Sequence, residues 1–363
     1  MIDVIVPVYA GEDETRACLA SLTAARCATA FEILVIDDCS PEPSLSAWLD
    51  EQAAAGQITL LRHGQNRGFV AAVNVGMARH PERDVVLLNS DTEVANDWLD
   101  RIVACAASSS DIGTVTPFSN NATICSYPYP GWEGGISGGL GLARLDRLFA
   151  DTLAGQVVDL PTAIGFCMFI RRACLDAVGS FDAAAFGRGY GEENDFNLRP
   201  APLVWRNVLA ADVFVYHRGA VSFGERRFEL MREAEATLLG LHPDYNQRVA
   251  AFVAVDPVRP LRDAVDLARA ALGASEAQHV VRQHFAERAM LNGALRATRA
   301  IASARPTAVA PAGPPKTMLR LWRDWLEEGS ARLESSLRWG PRRRALAQSA
   351  LRRLSALSAR WER

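Results

Sequence analysis

The sequence predicts an α/β protein in which a doubly wound, mostly parallel sheet is followed by a C-terminal helical extension. Over the first 120 residues, short β-branched runs alternate with helical stretches, which is typical of parallel strands covered by helices. The strands are almost continuously apolar, which indicates that both faces of the sheet are buried. Farther along, residues 261–301 are rich in alanine and predict two helices.

The predicted elements follow one another in a regular order. The first strand, Ile2–Val8, precedes a helix over Asp13–Ala25. The second strand, Phe31–Asp37, precedes a helix near 44–54. The other predicted elements are strands at Ile58–Arg62, Val85–Leu88, Ala163–Arg171 and Val204–Tyr216, and helices at Gly68–Arg79, Trp98–Ala107 and 225–240. Residues 117–161 lose this periodicity, and we expect a long functional loop there.

Composition excludes several classes of protein. Of the 363 residues, 49% are hydrophobic and 22% are charged, which are ordinary globular values and exclude a disordered or collagen-like chain. No run approaches 18 apolar residues, so we expect no single membrane-spanning helix. The N-terminus has no basic segment before its first apolar run, so we expect no secretory signal. The seven cysteines are odd in number and show no regular spacing in pairs, which favours reduced thiols and a cytoplasmic location.

The net charge of −3 conceals a basic C-terminal tail. Residues 316–363 carry one Lys and eleven Arg against five acids, a net of +7, which leaves −10 for the rest of the chain. Within this tail, Trp322, Trp325 and Leu326 follow helical spacing between arginines. A basic amphipathic helix of this kind suits an anionic membrane surface, such as the inner face of the cell membrane. It could equally pack on the catalytic domain or on a partner subunit. We expect no nucleic acid among the partners.

Polar side chains stand where predicted strands end, and in open α/β sheets the ligand crevice lies at that edge. Asp38 follows the second strand, and Asn89 and Asp91 follow the fourth. Two oxygen-bearing side chains at i and i+2 can face one hard cation. Arg67, at a helix start, can meet a diphosphate. Each of these residues, taken alone, could also have a purely structural role, such as a helix cap or close helix–sheet packing.

Taken together and in this order, the motifs resemble family 2 glycosyltransferases of the inverting GT-A (Rossmann-like) fold. The resemblance covers residues 1–240 and rests on several short segments. These are Val6-Pro7-Val8-Tyr9, Asp37-Asp38-Cys39-Ser40, Asn66-Arg67-Gly68-Phe69, Asn89-Ser90-Asp91, Gly165-Phe166-Cys167, Gly191-Glu192-Glu193-Asn194-Asp195 and Tyr216-His217-Arg218. The acidic segment is similar to that of rhamnosyl- and other transferases of bacterial polysaccharide assembly.

The resemblance implies a nucleotide-sugar donor, a divalent cation (Mg²⁺ or Mn²⁺) and inversion at the anomeric carbon. It implies metal ligation by Asp91 and His217, and a catalytic base at Glu193, with Glu192 and Asp195 as the other candidates. The residues that it implies for donor binding are Pro7, Tyr9, Asp38, Asn66, Arg67, Gly68, Asn89 and Asp91.

Two features depart from the family pattern. The metal motif begins with Asn89 where the family usually has Asp, and a neutral amide is a poorer ligand than a carboxylate. After the acidic motif, Pro200 and Pro202 should stop the helix within about two turns.

We therefore expect a GT-A catalytic domain over 1–245, a helical extension over 246–301, a Pro/Ala-rich linker over 302–315 and a basic helical tail over 316–363. The predicted function is transfer of a hexose or deoxyhexose to a saccharide or lipid-linked saccharide acceptor in cell-surface polysaccharide assembly. The alternative is a catalytically silent scaffold that binds nucleotide sugars. A nucleotidyltransferase lacks support because no Gly/Lys-rich phosphate loop is present near the N-terminus. A Rossmann dehydrogenase lacks support because no GxGxxG segment follows the first strand.

Overall fold

The computed structural model describes residues 1–136, 139–187, 189–199, 205–219 and 227–303. The chain divides into two compact units. The first comprises residues 1–136 and 141–258, and the second takes in, among the described residues, 139–140 and 259–303. Pro200, Pro202, the predicted linker from residue 304 onward and the tail 316–363 lie outside the described residues.

The first part of unit one alternates strands and helices as the sequence predicts. Its elements are β1 (Ile2–Val8), α1 (Glu12–Ala24), β2 (Phe31–Asp37), α2 (Pro43–Ala54), β3 (Thr59–Arg62), α3 (Phe69–Met77), β4 (Val85–Leu88), β5 (Thr92–Glu93) and α4 (Trp98–Ala107). Every residue of β4 is buried, and β1 is buried except at Pro7. This burial is the physical reason for the unbroken apolar runs in the sequence.

Among its described residues, the second part of unit one adds four strands and six α-helices. Its elements are β6 (Ile112–Ser119), a 3₁₀ turn (Thr123–Cys125), α5 (Leu142–Leu153), β7 (Val157–Leu160), β8 (Cys167–Ile170), α6 (Arg172–Val178), α7 (Ala183–Phe186), α8 (Glu192–Leu198), β9 (Arg206–His217), α9 (Arg227–Leu241) and α10 (Tyr245–Val255). As expected, α8 ends before Pro200, because a proline disfavours helical backbone at the residue that precedes it.

The strands of the described residues form one nine-stranded sheet in the order β3-β2-β1-β4-β8-β6-β9-β5, with β7 also paired to β9. Strands β1, β2, β3 and β4 pair in parallel, and β8 runs antiparallel to both β4 and β6. Strand β9 is parallel to β6, whereas β5 and β7 run against it. Six strands therefore point in one direction, and the predicted mostly parallel α/β class is confirmed.

The carboxyl ends of β1, β2 and β4 meet at one edge of this sheet. Val8 pairs with Asp37 at the last position of β1 and β2, and Ile5 pairs with Leu87 near the end of β4. Tyr9, Asp38 and Asn89, which follow these strands, consequently lie at the edge where ligands bind in open α/β sheets.

The prediction of a long loop over 117–161 is wrong, because this segment contains the end of β6, the helix α5 and the strand β7. In α5, Leu145, Phe149 and Leu153 recur every four residues and are buried. The ring of Phe149 lies 5.2 Å from that of Phe118. The periodicity was obscured by the Gly- and Pro-rich residues that precede the helix.

One smaller expectation also needs correction. The strand predicted over Ala163–Arg171 is paired only at Cys167–Ile170. Its first part turns away from the ladder, and the Ile164 N–H donates to the Thr116 hydroxyl oxygen at 3.1 Å. The helix α10 falls in the region predicted as a helical extension over 246–301, but its own bounds were not predicted, since none of its residues is buried and its sequence lacks an apolar stripe.

The second unit contains the two helices expected from the alanine-rich region, α11 (Arg259–Ala271) and α12 (Ala274–Ser303). They are joined by a buried ion pair in which Arg269 Nε donates to Glu276 Oε2 at 2.7 Å. No helix in the part of the chain that the structure describes is long and apolar enough to cross a membrane.

Candidate active site

Asp38 organises the loop that leads into α3. Its Oδ1 accepts a hydrogen bond from the Arg67 N–H at 2.8 Å and lies 2.7 Å from His63 Nδ1. Its Oδ2 accepts from the Gly68 N–H at 2.7 Å. Gly68 stands at the N-cap of α3 with φ 89°, a conformation that favours glycine. Asp38, Arg67 and Gly68, all predicted site residues, are therefore brought together by one buried carboxylate.

The other residues expected to contact the donor lie around this loop. Pro7 pairs with Ile36 inside the sheet, and Tyr9, directly after β1, is half-buried. Asn66 and Arg67 are exposed at the start of α3. Arg67 directly precedes the N-cap residue of α3, and the backbone N–H groups and dipole at a helix N-terminus favour an anion.

The short pairing of β5 with β9 brings Asp91 next to His217. Thr92 pairs with His217, and His217 Nε2 lies 3.4 Å from Asp91 Oδ1. The other oxygen, Oδ2, accepts from the Gly219 N–H at 2.9 Å. Burial acts to raise the pKa of Asp91, but the hydrogen bond and charge of His217 and the Gly219 N–H hold this pKa below its usual value. The carboxylate facing the imidazole is therefore ionised at neutral pH.

The tautomer of His217 is set from the other side of the ring. Nδ1 lies 2.7 Å from the Asn121 carbonyl oxygen, and a carbonyl can only accept, so Nδ1 carries a proton. In the neutral imidazole, the Nε2 lone pair then faces a carboxylate oxygen. Two acceptors in this position need a proton or a cation between them.

The distance between these two acceptors fits a cation. Two ligands at right angles on one octahedral Mg²⁺ or Mn²⁺ lie about 3 Å apart, close to the 3.4 Å between Nε2 and Oδ1. Imidazole nitrogen and carboxylate oxygen are both suitable ligands for Mn²⁺. Asn89, at the end of β4, donates its backbone N–H to the Phe166 carbonyl at 2.9 Å and so lies close to the same segment.

The segment Gly165-Phe166 joins this pair to the acidic helix α8. The ring of Phe166 stacks on the imidazole of His217, with centroids 5.2 Å apart and planes inclined by 18°. On the neighbouring residue, a Cβ added to Gly165 would lie 3.5 Å from Glu193 Cγ. The structure therefore places Glu193 and His217 on either side of one dipeptide.

The three acids of α8 have different surroundings. Asp195 is engaged at both oxygens, with Oδ1 2.9 Å from His242 Nε2 and Oδ2 accepting from Arg199 Nε at 2.7 Å. Glu192 is only 4% exposed. Glu193 is half-buried and turned toward Gly165. As expected for a helix start, Glu192 and Asp195 share the buried face and Glu193 points elsewhere.

Burial raises the pKa of both Glu192 and Glu193. For Glu192 the negative charge of Glu193 adds to this effect, and its pKa lies well above the usual value. A carboxylate with a raised pKa holds a proton more readily, which suits a group that must accept one during a reaction.

Several residues that support the site were not recognised in the sequence. Asn194 Oδ1 accepts from the Thr162 hydroxyl at 2.9 Å and from the Tyr245 hydroxyl at 3.2 Å, which fixes α8. His63, Asn120 and His242 were also missed. His63 and Asn120 each carried a usable signal, because each is a polar residue directly after a strand, like Asn89.

A second group of possible metal ligands, Asp3, Glu32 and His80, lies at the opposite end of the strands. The guanidinium of Arg83 already contacts two of these groups, with Nη1 2.9 Å from Asp3 Oδ1 and 2.7 Å from Glu32 Oε2. A cation there would meet an existing positive charge, so this cluster is a network of ion pairs.

The comparison with protein families agrees with this geometry. The family model "Glycosyl transferase family 2" matches residues 3–179. Through this segment the chain belongs to glycosyl transferase family 2. The matched part of this glycosyltransferase runs from β1 to the end of α6 and includes Asp38, Asn89 and Asp91, and the GT-A class is confirmed with it. Glu193 and His217 lie beyond the match, so their assignment depends on the contacts described above.

The glycosyltransferase also resembles individual proteins. It is 24% identical over 253 residues to the Sinorhizobium fredii protein y4gI, covering 65% of this chain and 27% of the relative. It is 34% identical over 93 residues to an uncharacterized glycosyltransferase of Haemophilus influenzae, covering 26% and 30%. It is 24% identical over 217 residues to the mouse inactive polypeptide N-acetylgalactosaminyltransferase-like protein 5, covering 57% and 48%. The chain thus spans about a quarter to a half of the length of these relatives.

Similar solved structures include GalNAc-T7 with UDP, GalNAc and Mn²⁺, at 15% identity and a TM-score of 0.48 over 70% of this chain and 57% of that one. A mannosyltransferase from Pyrobaculum calidifontis in complex with GDP-Man and Mn²⁺ matches at 16% identity and a TM-score of 0.47, over 97% and 86%.

Proposed function

We propose that this glycosyltransferase moves a sugar from a nucleoside-diphosphate sugar to a hydroxyl of a saccharide or lipid-linked saccharide, with inversion at the anomeric carbon. The transferred sugar would be a hexose or deoxyhexose, and the reaction would serve cell-surface polysaccharide assembly. The observation that carries the proposal is the convergence of Asp91, His217 and Glu193 around Gly165-Phe166 at the carboxyl edge of the sheet.

The donor would lie along the carboxyl ends of β1, β2 and β4. The nucleoside would contact Pro7, Tyr9 and Asp38, whose carboxylate already shapes the Arg67–Gly68 turn. The exposed side chains of Asn66 and Arg67 would approach the diphosphate. Asn89 would stand beside the phosphate end of the donor.

Asp91 and His217 would hold the divalent cation, and Asn89 adds an amide that is a weaker ligand than a carboxylate. A cation at this place supplies electrophilic stabilisation of the negative charge that grows on the leaving phosphate. The two protein ligands are held in advance: Asp91 by the Gly219 N–H and His217 by the Asn121 carbonyl. Pre-set ligands cost little reorganisation during the reaction.

Glu193 would act as the general base. The acceptor oxygen attacks the anomeric carbon, its proton passes to the Glu193 carboxylate, and the bond from the anomeric carbon to the phosphate oxygen breaks. The electron pair of that bond leaves with the nucleoside diphosphate. A single displacement from the face opposite the leaving group inverts the configuration. Asp195 is less suited to this role because His242 and Arg199 occupy both of its oxygens, and Glu192 is less suited because it is buried.

The tail over 316–363 would bind the inner face of the cell membrane from the cytoplasm. The support is in the sequence: a net charge of +7 with tryptophan and leucine at helical spacing. Such an attachment would bring the enzyme close to a lipid-linked acceptor.

A panel of nucleoside-diphosphate sugars, incubated with the full-length protein with and without Mn²⁺ or Mg²⁺, tests the proposed function. We expect cation-dependent release of nucleoside diphosphate from at least one donor. Tight binding of a donor without any release, in the presence of polysaccharide and lipid-linked acceptors, would favour the silent scaffold instead.

A further inference from the structure

We propose that Asn120 is a positioning residue that fixes His217 for the cation and links the loop after β6 to the metal site. The inference rests on the proposed function, because it assumes that Asp91 and His217 hold a cation.

The side chain of Asn120 forms hydrogen bonds with both backbone polar groups of His217. Asn120 Oδ1 accepts from the His217 N–H at 2.8 Å, and its Nδ2 donates to the His217 carbonyl at 2.8 Å. The backbone ladder between β6 and β9 ends at Ser119 and Val215. The amide of Asn120 thus takes the place that a further peptide of β6 would occupy, and it extends the pairing to the metal ligand.

The same side chain reaches the following loop. The Asn120 Nδ2 group also donates to the Gly134 carbonyl at 2.7 Å. The next residue, Asn121, provides the carbonyl that holds His217 Nδ1. Residues 120 and 121 therefore fix both the backbone of His217 and the tautomer of its ring.

This arrangement requires an amide. Only Asn and Gln carry a side-chain acceptor and two donors on one planar group, and Asn120 is only 3% exposed, so its partners lie away from bulk solvent. An Asp could accept from the His217 N–H but could not donate to either carbonyl. An Ala would remove the partner of the His217 N–H, the His217 carbonyl and the Gly134 carbonyl. The backbone of His217 would then no longer be held by residue 120.

A purely structural role would make a different prediction. If the two hydrogen bonds from Asn120 only stabilise the end of the sheet, their loss lowers the stability of the protein. The protein that remains folded should then bind Mn²⁺ as before. Asn74 on α3 provides a matched control in unit one. Its side chain donates to the Phe181 carbonyl at 2.8 Å and accepts from the Phe181 N–H at 3.0 Å. Asn74→Ala removes the same pair of bonds from a residue that is not a proposed metal ligand.

The test is a titration of the full-length protein with Mn²⁺ in the absence of donor, in which free Mn²⁺ is measured by electron paramagnetic resonance and folding is checked by thermal melting. We expect Asn120→Ala to weaken Mn²⁺ binding by about 10- to 100-fold, the usual effect of losing a partner that orients a metal ligand. Asn120→Gln, which keeps the amide but misplaces it, should give a smaller loss. Asn74→Ala should leave Mn²⁺ affinity nearly unchanged, and raised Mn²⁺ should restore donor turnover in Asn120→Ala.

Asp91→Ala separates this inference from the proposed function. If Asp91→Ala loses Mn²⁺ while Asn120→Ala and Asn120→Gln both bind like wild type, only the role of Asn120 is wrong. If Asn74→Ala weakens Mn²⁺ binding as much as Asn120→Ala, the effect is general and the positioning role is also wrong. If Asp91→Ala and wild type bind Mn²⁺ alike, the cation site itself is wrong, and the role of Asn120 fails with it.

Discussion

The side chain of Glu193 lies against Gly165, where a methyl group on the glycine would come within 3.5 Å of Glu193 Cγ. The neighbouring Phe166 stacks on His217, which faces Asp91. A dipeptide between β7 and β8 therefore sets the relative positions of the proposed base and the proposed cation. Glycine at position 165 keeps the side chain of Glu193 close to the sheet edge, where an acceptor hydroxyl would bind.

The first prediction concerns the pH dependence of turnover. Burial raises the pKa of Glu193 above its ordinary value of 4.5, and a general base acts only when unprotonated. Activity should therefore rise as the pH increases through the raised pKa. We expect the acid limb of kcat/KM, measured over a pH series at saturating Mn²⁺, to lie clearly above pH 4.5. A limb at or below pH 4.5 would contradict the assignment of Glu193 as the general base.

The second prediction concerns the stability cost of Glu192. Its pKa is raised in the folded protein, so the native state disfavours the ionised form that the unfolded chain adopts above about pH 4.5. The resulting loss of stability is absent below that pH and grows as the pH rises toward the folded-state pKa. Glu192→Gln should therefore increase the free energy of unfolding at pH 7 to 8 and have little effect near pH 4. Urea unfolding at both pH values measures this.

The exposed Glu233 on α9 provides the control for that experiment. Glu233→Gln should change stability little at either pH, because a solvated carboxylate has nearly the same environment in both states. A gain in Glu192→Gln that is equal at pH 4 and pH 8 would mean that burial of charge is not its cause.

The third prediction concerns the cation. Asp91→Ala should abolish cation-dependent donor binding, whereas Asn89→Asp should preserve or tighten it, since it adds a carboxylate where the amide is a weak ligand. Calorimetric titration of the donor with and without Mn²⁺ measures both variants. Asp176→Ala, which removes an exposed acid from α6, is the control and should bind like wild type. Unchanged donor affinity in Asp91→Ala would remove this residue from the site.

The fourth prediction concerns the tail. Deletion of residues 316–363 removes a net charge of +7 and should abolish sedimentation of the protein with anionic vesicles at low salt. Added salt should mimic part of the deletion, because exposed charges are screened over about 10 Å at 0.1 M. Nucleotide release in solution should persist after the deletion. If the full-length protein does not bind anionic vesicles at low salt, the tail would instead pack on the catalytic domain or on a partner subunit.

The sequence predicted the sheet well where periodicity is local. Strands β1, β2 and β4 lie at the predicted residues because each is a short apolar run that ends at polar residues. It failed at α5, whose apolar residues recur every four positions but follow a Gly- and Pro-rich stretch. Local composition there outweighed a periodicity that becomes clear only when Phe149 is seen packed on Phe118.

The site was predictable as far as it depends on strand ends. Asp38 follows β2, and Asn89 and Asp91 follow β4; both strands pair in parallel with β1, which brings their carboxyl ends to one edge of the sheet. The contacts of His217 with Asn120, which is 97 positions away, depend on a pairing of β6 with β9 that spacing alone does not predict. Similarly, only the packed helices bring His242 to Asp195 and so distinguish that acid from Glu193.

In the proposed reaction, the acceptor hydroxyl attacks the cation-bound donor and its proton passes to Glu193. The most direct test is donor turnover and donor affinity for Glu193→Gln, measured side by side with Glu192→Gln and wild type. The amide keeps the shape and removes the basicity, so turnover of Glu193→Gln should fall by roughly 100-fold or more with donor binding nearly intact. Glu192→Gln should retain most of its turnover. Near-normal turnover in Glu193→Gln would show that Glu193 is not the base. If Glu192→Gln were then inactive, the base would be Glu192, and if both variants remained active, the base would lie outside Glu192 and Glu193.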